Sequence, residues 1–103
     1  MKKFDKNKKL DEYYVAYRHL LNEKQQDIYE LYYFEDYSIN EIAEVREVSK
    51  NAVYNMLKRI EEDLIKFEKQ LNLIKKNNDI LKLVKDDEIL LEKINIILKG
   101  SYE

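Results

Sequence analysis

Lys50, Asn51, Tyr54, Asn55, Lys58 and Arg59 fall on the outward side of one predicted helix, and their side chains are of the kinds that meet nucleic acid. Asn pairs bidentately with adenine, Lys and Arg reach guanine or phosphate, and a Tyr ring offers a stacking surface. The same residues also suit a solvated helix face or a protein contact. They are therefore candidate binding residues for nucleic acid or for a partner. Other chemistries find little footing. His19 is the only His and Cys is absent, whereas zinc takes three or four His, Cys or carboxylate ligands. Asp86-Asp87-Glu88 gathers carboxylates, but at a predicted helix start, where acids cap and complement the dipole. No catalytic residue, metal or cofactor is expected, and the chain reads as non-enzymatic.

The element that positions the candidate residues runs from Ser38 to Arg59 and has the pattern of a helix-turn-helix. Ser38 with Glu41 forms a capping box that opens a helix at Ile39. Ala43 stands where two helices would cross closely. Val48 closes the turn and Ser49 caps a second helix from Lys50. Ile42, Val48, Val53 and Met56 take the apolar positions that hold the pair together. Such a motif commonly presents the start of its second helix to a DNA major groove.

The remainder is also helical in pattern. Leu10, Tyr13, Tyr14, Tyr17, Leu20 and Leu21 recur at helical spacing, and Asn22 with Gln25 caps a helix that buries Ile28, Leu31 and Tyr32. Asp36-Tyr37 is a short connector. Val53, Leu57, Ile60, Leu64, Phe67, Leu71 and Ile74 alternate steps of four and three, a seam of about three heptads. Asn77-Asn78-Asp79 predicts a turn, followed by a short helix with Ile80, Leu81, Leu83 and Val84. Asp86 or Asp87 would cap a last helix, which Gly100 would end. Most of the nine Tyr recur at helical spacing and suit half-buried packing, whereas Tyr54 is expected on the outer face of its helix.

At 103 residues the chain can bury one core. With no Pro and Gly100 as the only Gly, glycine-rich phosphate loops and dinucleotide folds are excluded. The absence of Cys fits a reducing compartment. The opening MKKFDKNKK lacks the apolar stretch of a signal peptide, and no apolar run approaches the roughly 20 residues that span a bilayer. A cytoplasmic protein without membrane insertion is expected. The net charge of −2 is unevenly spread. Residues 1–9 carry five Lys against Asp5, and residues 10–37 seven acids against Arg18 and Lys24. Residues 38–60 carry four bases against three Glu, a poor balance for strong, general binding to duplex DNA. The Lys-rich arm could track phosphates or simply be a soluble terminus.

The run LLNEKQQDIYELYYFEDYSINEIAE…VSKNAVYNMLKRIEEDLIKFEKQL resembles the YlxM family of small bacterial helix-turn-helix proteins. Leu31-Tyr32-Tyr33 with Asp36-Tyr37-Ser38, and Val48-Ser49 with Ala52-Val53-Tyr54, carry the resemblance most specifically. The family's motif is similar to the promoter-reading region of sigma factors. What the resemblance implies is a modulator of the signal recognition particle pathway, with that particle's GTPase or its RNA as partner. The competing expectation is a transcription regulator whose partner is DNA. Where family members tend to carry an aromatic followed by Gly, this chain has Arg46 and Glu47. A left-handed Glu47 would cost about 1 kcal/mol more than Gly. The other possibility is that the first motif helix runs on and the turn is reshaped; the ordinary Val48-Ser49 closure favours the left-handed turn.

The expected architecture is all-α: a basic arm (1–9), a helix-turn-helix domain (10–60), and a C-terminal helical part (61–103) comprising the end of a long helix and two further helices. The last helix is apolar at 89, 90, 91, 94, 96, 97 and 98, too many positions for one buried stripe. A homodimer built mainly from residues 80–98 is therefore expected, with Ile89, Ile96 and Ile97 as contacts; the alternative is a monomer in which the first two helices fold back to cover that face.

Overall fold

In a computed structural model, residues 8–99 are described and form six α-helices with no strand among them. The helices are α1 (Lys8–Tyr17), α2 (Glu23–Tyr33), α3 (Ile39–Arg46), α4 (Lys50–Leu71), α5 (Leu73–Leu83) and α6 (Glu88–Lys99), with a 3-10 turn at Arg18–Leu20 after α1. The all-α class is as expected. Residues 1–7 of the expected basic arm and Gly100 lie outside the described residues, whereas residues 8 and 9, expected in the arm, open α1. The chain divides into two compact units, one ending at Gln70 and the other beginning at Leu71. The boundary expected after residue 60 falls inside α4.

In the first unit the core is built from α1–α4. Leu10, Tyr14, Tyr17 and Leu21 are buried on the α1 side, but Leu20, expected in the same stripe, is exposed. The regular helix ends at Tyr17, and Leu21 leaves the 3-10 turn with an extended backbone (φ −95°, ψ 151°), so helical spacing no longer places the two leucines on one stripe. The Asn22–Gln25 capping box opens α2 with reciprocal hydrogen bonds of 2.8 and 3.0 Å. α2 buries Ile28, Tyr29 and Tyr32, while Leu31 is half-buried. Asp36, in the connector to α3, adopts a left-handed backbone (φ 59°), a conformation that Asp and Asn tolerate better than most residues.

Tyrosines tie these helices together with both ring and hydroxyl. The rings of Tyr14 and Tyr29 stack at 4.0 Å and 8°, and Tyr29 stacks in turn on Tyr33 at 4.4 Å. Tyr14 in α1 donates to Glu30 in α2 at 2.5 Å, and Tyr29 in α2 donates back to Asp11 in α1 at 2.8 Å. Tyr17 donates to Glu68 of α4. For Tyr14, Tyr17 and Tyr29 the ring supplies apolar burial while the hydroxyl is satisfied by a carboxylate on a neighbouring helix.

The heptad seam holds through Val53, Leu57, Ile60 and Leu64, all buried, and Phe67 remains half-buried with its ring 6.0 Å from Tyr17. It does not continue to Ile74. Leu71 is exposed and ends α4, and Asn72 turns left-handed (φ 54°, ψ 32°). The turn expected at Asn77-Asn78-Asp79 is absent, and α5 runs through these residues. Asn is only mildly unfavourable inside a helix, and the i,i+4 ion pair Lys75–Asp79 at 2.9 Å supports this one. The break sits at Asn72 instead. In the second unit, Asp87 caps α6 by accepting from the Leu90 N–H at 3.0 Å.

Candidate nucleic-acid interface

Three local devices set the direction of α4. Ser38 and Glu41 exchange two hydrogen bonds of 3.0 Å at the start of α3. The Ser38 backbone N–H, and secondarily its hydroxyl, hold the Glu41 carboxyl below the usual carboxylate range. At the other end Glu47 is left-handed (φ 55°, ψ 45°), and the Val48 N–H bonds back to the Ala43 carbonyl at 3.0 Å. That six-to-one bond closes the helix in the manner of a Schellman motif. The left-handed turn expected from Val48-Ser49 is thus present, with Glu where a Gly would be unstrained. Ser49 then accepts from the Ala52 N–H at 3.0 Å and starts α4.

Apolar packing fixes the angle between the two helices. Ile42 and Ala43 of α3 and Val53 and Leu57 of α4 are buried in one cluster with Ile28 and Tyr32 of α2. Val48 and Met56 pack against its edge. A side chain larger than Ala43, which is buried at this contact, would push the helices apart. Arg46 leaves the core, as its charge demands, and makes a bidentate pair with Asp27 of α2 at 2.7 and 2.9 Å. Its guanidinium holds the Asp27 carboxyl below the usual range. The pair ties the turn to α2 beside an open recess lined by Ile28, Val48, Val53 and Met56. Sequence reasoning missed Asp27 as the partner of Arg46, because the two residues lie on separate helices.

α4 exposes Lys50, Asn51, Asn55 and Lys58 along its first three turns. Arg59 is exposed as well and pairs with Asp63 at 3.1 Å. Tyr54 departs from expectation. It is half-buried and packs against the motif core, so its ring is not an open stacking platform. His19 is exposed in the 3-10 turn, and no cluster of His and carboxylates suited to a metal occurs among the described residues. Acids are also near the motif, with Glu44, Glu47 and Glu62 exposed on α3, the turn and α4. The face offers hydrogen-bonding amides and a few cations, a constellation fitted to selective contacts more than to bulk charge neutralisation.

Two capped helices joined by a left-handed turn, with the second presenting a polar start, define the class of helix-turn-helix proteins. The chain matches, over residues 4–99, the model of UPF0122, described as "Putative helix-turn-helix protein, YlxM / p13 like". It belongs to that family. Its relatives include UPF0122 proteins of Clostridium novyi (44% identical over 79 residues) and Caldanaerobacter subterraneus (42% over 71 residues). These matches cover 77% and 69% of this chain, and 66% and 61% of the relatives, under two thirds of either relative's length. A UPF0122 protein of Listeria welshimeri is 39% identical over 94 residues, 91% of this chain and 86% of its own. No helix among the described residues is long and apolar enough to cross a membrane.

Proposed function

We propose that this protein is a non-enzymatic regulatory factor of signal-recognition-particle-dependent protein targeting in the cytoplasm, binding the particle's RNA or GTPase through α4. The observation that carries the binding mode is the exposed row Lys50, Asn51, Asn55 and Lys58 on a helix whose start is held by the Ser49 cap and the buried α3–α4 contact. The resemblance to the YlxM family supports the pathway. Sparse positive charge on the motif favours a specific RNA or protein surface over general duplex binding, which draws its strength from neutralised phosphates.

Affinity purification of the tagged chain from its own cell lysate, with and without nuclease, tests this. The particle's GTPase and RNA should be recovered together. The protein should persist after nuclease if it is the direct contact, and vanish if the RNA is. Recovery of defined duplex fragments without either component would replace this function with that of a DNA-binding regulator.

A further inference from the structure

We propose that the recess between α2 and the start of α4 receives one large apolar side chain of a protein partner, with a carboxylate of that partner beside it. The partner is the one that α4 engages in the function proposed above, and the assignment rests on that reading. The recess has a volume of about 160 Å³. Ile28 and Val53, both buried, line its depth, and Val48, Ala52 and Met56 complete the apolar lining. Ala52 and Asn55, three positions apart, are neighbours on the surface of α4, so the mouth adjoins the exposed row of Asn51 and Asn55. A partner lying on that row covers the recess as well. The exposed Ile89, Ile96 and Ile97 of α6 stand on a convex helix face, whereas the recess has a lining and a charged rim that define what fits.

Size and charge identify the occupant. An engineered apolar cavity of about 150 Å³ takes up benzene, so the recess suits one Phe, Leu, Ile or Met side chain. Sites for free small molecules start at about 300 Å³ and enclose most of their ligand. This recess is smaller and open, as befits an anchor whose own chain continues across the surface. Its charged lining is Lys24, Asp27 and Arg46. Arg46 donates through Nε and Nη2 to both carboxylate oxygens of Asp27, which neutralises the one acid. Lys24 is exposed and pairs with no carboxylate among the described residues, leaving a net positive rim. That charge selects a carboxylate next to the anchor and disfavours a cation. A flipped nucleobase fits less well. The lining residues include no aromatic ring on which it could stack, and Asp27 already holds the Arg46 guanidinium.

Carbon-13 methyl spectra of the full chain, titrated with the blocked dipeptide acetyl-Phe-Glu-amide, test the recess apart from any cellular partner. The methyls of Ile28, Val48, Val53 and Met56 should shift together at millimolar peptide, and acetyl-Phe-Lys-amide should bind at least threefold more weakly. Lys24→Glu should reverse that preference, and Ala52→Leu, which fills the mouth, should abolish the shifts. Both substitutions are at exposed positions, and unchanged helical circular dichroism checks that the fold survives them. The second arm uses the signal recognition particle's GTPase freed of RNA: it should bind the wild type, and each variant at least tenfold more weakly. Dipeptide binding without GTPase binding would support the recess and overturn the pathway instead. Absent methyl shifts, equal affinity for the two dipeptides, or recess methyls that respond only to the particle's RNA would overturn the proposal.

Discussion

At the residue scale, Glu47 carries a cost that the chain tolerates. Its left-handed backbone is forced by the need to close α3 and start α4 within three residues, and a Cβ in that conformation is unfavourable by about 1 kcal/mol. Glu47→Gly should therefore stabilise the protein by a few tenths to about 1 kcal/mol, read as a higher denaturation midpoint; a lower midpoint would contradict the left-handed turn. The tyrosine hydroxyls give a second residue-level expectation. Burial, and then the hydrogen bonds to Glu30 and Asp11, push the phenols of Tyr14 and Tyr29 above their ordinary value. A raised folded-state pKa favours the protonated form, so this stabilisation is complete below the unfolded pKa of about 10 and is lost as pH rises beyond it. Stability should fall steeply above about pH 10, with phenolate absorbance growing in step with loss of helix. Tyr29→Phe should blunt that dependence. Asp27 works in the opposite sense: Arg46 depresses its pKa, so its contribution is present at neutral pH and lost as pH falls below the ordinary carboxylate range. Both partners are solvent-screened, so that contribution is small.

At the element scale, helix starts were the most legible features because each is written locally. Ser38–Glu41, Asn22–Gln25 and Ser49 all cap where their spacing said they would, since a capping box needs only residues three apart. Ser38→Ala should cost about 0.5–2 kcal/mol by removing the oxygen that accepts from Glu41; denaturation of the two proteins measures it, and no change would mean that α3 is held by packing alone. Helix ends were less legible. Asn72 and the Asn77-Asn78 pair carry the same residue type, and no short-range pattern says which will turn left-handed. The i,i+4 pair Lys75–Asp79 supports a helix through Asn77-Asn78, and the exposure of Leu71, which only packing reveals, marks the break at Asn72. Which of Leu20 and Leu21 is buried was not legible either, because the two are equivalent to a reading by hydrophobic spacing.

At the scale of the whole molecule, the helix-turn-helix was visible from Ser38 to Arg59 because its caps, small contact residue and apolar positions agree with one another. The side chains on its outer face were legible in part. Lys50, Asn51, Asn55 and Lys58 lie exposed, but Tyr54 turns against the core, where an amphipathic ring finds apolar cover that its spacing alone does not reveal. With few cations presented, each worth about −0.9 in the logarithmic salt slope for duplex DNA, binding to random duplex should be weak and show a shallow slope. The proposed role rests on α4 meeting a partner directly. Titration of the purified signal recognition particle with labelled wild-type chain and with a Lys50→Ala/Asn51→Ala/Asn55→Ala variant tests it most directly. Saturable binding by the wild type at physiological salt, weakened at least tenfold in the variant with its helical content intact, is the expected result. Equal binding by both proteins, or no binding to the particle alongside nanomolar, sequence-selective binding to duplex DNA, would contradict it.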